Sequence, residues 1–225
     1  TEEKFEEHIE KHMCSVGYTS TDFHEYDRSL CLIKDQVIDF IKTTQPEKWE
    51  RLTEIYDLDT ENKILSRISS EVSKRGIVDV LRNPVVDRGV YLNLCYFEPK
   101  SDLNPEHLKL FQSNRFTVMR QLHYSNQNEN SIDMGLFLNG LPIVTMELKN
   151  QLTGQNVKHS QNQYRNDRDP REPLLQFKRC MIHFCVDNDR VSMTTRLSGL
   201  KTFFLPYNRD LENPPVETGY RSKYL

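Results

Sequence analysis

Between Asn130 and Gln151 the chain reads NSIDMGLFLNGLPIVTMELKNQ, two apolar runs on either side of Asn139-Gly140. Asn and Gly accept the left-handed backbone of a tight hairpin turn, so the run folds back on itself as paired strands. An acid, Asp133, opens the first strand, and Glu147 and Lys149 close the second. Two carboxylates and an amine at the rim of a sheet suit a divalent cation. A hairpin with solvated polar ends is the competing reading.

The turn decides between the two. Alternation puts Ile143, Thr145, Glu147 and Lys149 on one face of the second strand, and Val144, Met146 and Leu148 on the other. A two-residue loop in an unbroken ladder sets Asp133 opposite Met146, on the wrong face. A three-residue loop, Asn139 to Leu141, or an equivalent bulge sets Asp133 opposite Glu147. The expectation is the longer loop or that bulge. Asp133 and Glu147 then bind Mg²⁺ through oxygen, with the Leu148 carbonyl as a further ligand. Lys149 holds a water or a phosphate. Such a cation lowers the pKa of an attacking water and stabilises charge on phosphorus oxygens, which is phosphodiester chemistry.

Glu-x-Lys alone carries little weight, because it recurs, as at Glu2/Lys4, Glu98/Lys100 and Glu147/Lys149. The first begins a surface helix, and the second straddles Pro99, which no central strand tolerates. Only the third ends an apolar strand with an acid at the start of the strand before it.

At 225 residues the chain can bury a sizeable core. No apolar run approaches the roughly 18 residues that cross a membrane, and the acidic, amphipathic first residues do not resemble a signal peptide. The five cysteines lack metal-ligand spacing, which suggests reduced thiols and a cytoplasmic protein. The net charge of −3 hides an asymmetry. Residues 1–80 hold 18 acids against 11 bases, and residues 149–201 hold 10 bases against 5 acids. The basic stretch beside Lys149 would hold a phosphate backbone.

Phe5, Ile9, Met13 and Val16 mark one helix face, ended by Gly17. His8 and His12 on that helix are read as solvated. Three further stripes follow: Val37, Ile38 and Ile41; Trp49, Leu52 and Ile55, with Pro46 in the first turn; and Ile64, Leu65, Ile68 and Val72. They form an N-terminal helical layer from Leu30 to Leu81. Val90 to Phe97 reads as a short strand. Phe116 to Tyr124, Ile132 to Leu138 and Ile143 to Leu148 alternate as strands. Gln155 to Asp167 reads as a polar helix. Cys180 to Asp187 and Arg190 to Leu197 read as two strands across an Asn188-Asp189 turn. The polar tail from Pro206 reads as a linker.

Asn130-Ser131-Ile132-Asp133, Asn139-Gly140-Leu141-Pro142 and Glu147-Leu148-Lys149-Asn150 together resemble the nuclease domain of the restriction (motor) subunit of type I restriction-modification enzymes. Asn114-Arg115-Phe116, Arg120-Gln121, the run Gln163 to Pro170 and Met193-Thr194-Thr195-Arg196 extend the likeness from about Phe5 to Asn208. The resemblance implies an α/β, restriction-endonuclease-like fold: a mixed four- or five-stranded sheet flanked by helices, of the PD-(D/E)xK type. It implies Mg²⁺-dependent cleavage of double-stranded DNA after ATP-driven translocation. Asp133, Glu147 and Lys149 would be catalytic, and Glu6 a further acidic ligand. Gln163, Arg165, Lys158 and Arg168 would contact DNA.

Ile132 stands where the family's motif has proline. The family's Gln-x-x-x-Tyr motif is also altered, with Tyr164 directly after Gln163. No phosphate loop for ATP is present, so residues 1–205 would be the endonuclease domain and 206–225 a linker toward a motor region. ATP would serve that motor alone, and methylation and specificity subunits would be partners of the full protein. The alternatives are a docking module of nuclease fold, or a repair or mobile-element nuclease. A glycosidase using the two acids is disfavoured, because Lys149 beside Glu147 would keep that carboxyl ionised.

Overall fold

The computed structural model describes residues 2–100, 104–150 and 154–207, so the expected linker lies outside the described residues from Asn208 onward. Helix α1 (Glu2–Ser15) leads into a short strand β1 (Thr19–Thr21), and β2 (Tyr26–Asp27) pairs with β3 (Leu32–Ile33). The helical layer follows as α2 (Lys34–Thr44), α3 (Pro46–Tyr56), α4 (Thr60–Arg75) and α5 (Ile77–Arg82). Val37, Ile38 and Ile41 of α2 and Ile64, Leu65, Ile68 and Val72 of α4 are buried, as their spacing requires. On α3 the stripe is incomplete: Leu52 is buried, but Ile55 is exposed.

A small ladder of β4 (Val85–Asp87) and β5 (Val90–Leu92) precedes α6 (Pro105–Gln112). The strand expected to Phe97 stops at Leu92. Beyond it the Asn93 amide donates to Gln45 Oε1 and the Tyr96 amide to Asn114 Oδ1, so side-chain amides take over from a ladder.

The main sheet has seven strands in the order β1-β6-β7-β8-β9-β10-β11. Its long members are β6 (Phe116–His123), β7 (Ser131–Leu138), β8 (Leu141–Leu148), β9 (Ile182–Val186) and β10 (Val191–Thr194); β11 (Leu205–Pro206) lies at one edge and β1 at the other. The β1/β6 and β8/β9 pairs are parallel and the rest antiparallel, so the sheet is mixed. It exceeds the expected four or five strands only by its two short edges. Helices α2 to α5 and residues such as Leu136, Leu138 and Leu148 share one apolar cluster. Phe137, Cys185 and helix α7 (Val157–Asn166) share the other. The central hairpin is therefore covered on both faces.

That hairpin settles the register. Asn139 (φ 52°) and Gly140 (φ 81°) form a strict two-residue turn of the mirror-image type that matches strand twist. Leu138 pairs with Leu141 and Phe137 with Pro142, but then Leu136 pairs with Val144 and Met134 with Met146. Ile143 is the extra residue of a bulge. Pro142 has no amide to give the ladder, which makes the next position the place where pairing slips. Continued one step, the shifted register sets Asp133 opposite Glu147. The equivalent bulge, not a longer loop, does the work. It also moves Ile143 off the expected face, into the helical-layer cluster with Met146 and Leu148.

The turn is fixed to its surroundings. The Asn139 side chain accepts from the Arg115 amide (2.7 Å) and donates to the Leu94 carbonyl (2.9 Å), and the Ile33 amide donates to the Gly140 carbonyl (2.9 Å).

Candidate active site

Asp133 leaves β7 toward the end of β8, where its Oδ2 accepts the Leu148 amide at 2.7 Å. Just past β8 the Lys149 amide donates to the Val186 carbonyl of β9 at 2.8 Å. Because a trans peptide points its carbonyl away from its N–H, the Leu148 carbonyl is aimed back to the Asp133 side. Lys149 Nζ lies 4.0 Å from Asp133 Oδ2 and 3.3 Å from Glu2 Oε1 at the start of α1.

Glu147 is fully buried. Arg168 Nε donates to its Oε1 at 2.6 Å, and its Oε2 has no hydrogen-bond partner among the described residues. Burial first, and the Asp133 charge second, push the Glu147 carboxyl up to about 8, against the pull of Arg168 and Lys149. Burial likewise raises Asp133, opposed by the Leu148 amide and Lys149. Glu6, buried on α1, accepts from Gln121 Nε2 at 2.9 Å and is raised mainly by burial, with Asp133 adding to it. Asp133 and Glu147 thus stand together, and Glu6 stands behind the Gln121 amide. Among the described residues no three His, Cys, Asp or Glu side chains are gathered closely enough to hold a metal by themselves.

The face of β8 that carries Glu147 continues inward through Thr145. Its hydroxyl lies 2.7 Å from Tyr164 Oη and 2.7 Å from His183 Nδ1, all three buried. Burial lowers the His183 imidazole to about 4, so it is neutral at ordinary pH. Tyr164 is therefore a packed member of the site's support. Val157, Ser160 and Tyr164 are the buried face of α7, a spacing legible in the sequence.

The four expected DNA contacts divide. Lys158 is exposed on α7. Gln163 joins Lys149, Glu2, His159, Asn162 and Asp167 around a shallow depression, with its Oε1 buried and without a partner among the described residues. Arg165 instead turns back, donating to the Thr202 carbonyl (3.1 Å) over the Phe204 ring. Arg168 is not at the surface at all; it is buried against Glu147 and the Tyr124 ring. Spacing alone could not reveal that pairing, since it joins the end of β8 to the turn after α7.

A mixed sheet between helical layers, with its acids at the open end of a central hairpin, is a restriction-endonuclease-like fold. Residues 1–202 match the family described as the type I restriction enzyme R protein N terminus, and the chain belongs to that family. No curated protein matches it. No helix among the described residues is long and apolar enough to cross a membrane.

Proposed function

We propose that this chain is a Mg²⁺-dependent endonuclease domain of PD-(D/E)xK type, which cuts double-stranded DNA delivered by an ATP-driven motor region of the same subunit. Methylation and specificity subunits are the partners this reading assigns to the full protein. The observation that carries it is the bulge at Ile143, whose shifted register sets Asp133 opposite Glu147, with Lys149 Nζ 4.0 Å from Asp133 Oδ2.

The donor set fits a hard cation: two carboxylates, and a backbone carbonyl aimed to their side. Asp133, Glu147 and the Leu148 carbonyl would hold Mg²⁺. When bound, Mg²⁺ supplies an acidified water and a counter-charge for the phosphate oxygens. Glu147 gives up its proton to take part, since its carboxyl titrates near 8. Asp133 is held in place by the Leu148 amide. Lys149 exchanges Glu2 for the attacking water or the phosphate. Lys158 and Gln163 meet the DNA backbone beside the depression, and phosphate contacts there position the duplex without reading its sequence.

The test is Asp133→Ala, Glu147→Ala and Lys149→Ala in the complete enzyme. Each is expected to abolish cleavage while ATP hydrolysis and translocation continue. Wild-type cleavage by any of the three would remove that residue from the mechanism.

A further inference from the structure

We infer that Arg168 is the positioning residue of this site: it clamps one oxygen of Glu147 so that the other is presented to the cation. The inference rests on the reading of Glu147 as a cation ligand. Arg168 lies just past the cap of α7, yet its side chain is buried, with the guanidinium 5.8 Å from the ring of Tyr124, itself buried. From there Nε reaches Glu147 Oε1 at 2.6 Å, and Oε2 has no partner among the described residues. The guanidinium is thus fixed from two sides, by an aromatic residue following β6 and by a carboxylate on β8.

A buried glutamate with no anchor could turn either oxygen, or neither, toward a ligand. A planar guanidinium whose Nε–H is bonded to one oxygen removes that freedom and leaves the other oxygen to face a ligand. Removing a group that orients a metal ligand in this way typically costs about ten- to a hundredfold in metal affinity.

Charge and orientation make opposite demands here, which is what renders the inference testable. A cation beside a divalent-metal site repels the metal. If Arg168 acted through its charge alone, removing it would tighten metal binding. If it acts by orientation, removing it weakens binding, and a lysine, which keeps the charge but loses the fork, does not restore it.

The experiment titrates Mn²⁺ alone into the complete R subunit by calorimetry, for wild type, Arg168→Gln, Arg168→Lys, Glu147→Gln and the Arg168→Gln/Glu147→Gln double variant. The expected result is a loss of Mn²⁺ affinity of about tenfold or more in both Arg168 variants. Arg168→Gln should add no further loss once Glu147 is already Gln, because a clamp with nothing to orient has no effect. Circular dichroism and the melting midpoint establish that each variant is folded, and Arg168→Lys carries the test if Arg168→Gln is not. Affinity equal to or tighter than wild type in a folded Arg168 variant would overturn the inference. If Glu147→Gln itself leaves Mn²⁺ affinity unchanged, the reading of Glu147 as a ligand falls, and the inference with it. If Glu147→Gln loses binding while the Arg168 variants do not, the inference alone fails.

Discussion

Glu147→Gln should make the protein more stable at alkaline pH while destroying its proposed chemistry. The Glu147 carboxyl stands at about 8 against an ordinary 4.5, with burial as the first cause. An acid raised in the folded state gives stability that is full below its unfolded pKa and is lost as pH rises through the folded one. The window therefore runs from about 4.5 to about 8. At about 1.4 kcal/mol per pKa unit, the cost at the top of the window is about 5 kcal/mol, and the change between pH 5 and pH 8 is about 3–4 kcal/mol. That is a large part of the 5–15 kcal/mol that holds an ordinary domain together. Glutamine keeps an acceptor for Arg168 and cannot ionise, so this penalty vanishes.

The assay is urea unfolding of wild type and Glu147→Gln at pH 5, 6, 7 and 8 with a chelator present. Groups remote from the site titrate equally in both proteins, so the difference between the two curves reports Glu147 together with its coupled neighbour Asp133. It should open steadily in favour of the variant as pH rises. At pH 8, saturating Mg²⁺ should return stability to wild type and not to the variant, by about 3 kcal/mol at a hundredfold excess over Kd. Parallel curves, differing by less than about 0.5 kcal/mol across the range, would mean that the carboxyl is not held in an environment hostile to its charge.

Three further outcomes are expected. Gly140→Ala should cost about 3 kcal/mol in urea unfolding, since its φ is 81° and an added Cβ would meet the Ile33 carbonyl at 2.5 Å; a loss below about 1 kcal/mol would mean the turn is looser than this. Thr145→Val should cost about 2–4 kcal/mol, because Tyr164 and His183 both lose the hydroxyl they bond. The His183 ring, at about 4 against an ordinary 6.5, should show no proton-NMR titration between pH 7 and 5. Its stability contribution is whole above 6.5 and disappears as pH falls through about 4.

The hairpin was legible because its signals are local. Asn139-Gly140 marks the turn but not the register: the shared site called for a longer loop or a bulge, and it is Pro142, with no amide for the ladder, that selects the bulge. The helical layer was legible for the same reason, through stripes of one period. Helix α7 begins at Val157 rather than Gln155, because Asn156 caps it in a box with His159. The partners of the site were not legible. Arg168 on Glu147, Glu2 on Lys149 and Gln121 on Glu6 join residues far apart in sequence and depend on how whole layers dock. Strand β1 of three residues and β11 of two are also too short for alternation to register.

Those two short edges bear on how the molecule behaves in a crowd. A long open border would offer a row of unpaired amides and carbonyls to any neighbour, inviting stacked copies and insoluble ribbons. Here one border spans Thr19–Thr21, and the other ends on Pro206, which has no amide hydrogen to share. Seven strands can thus lie side by side while leaving little exposed backbone for an eighth from another molecule to grip.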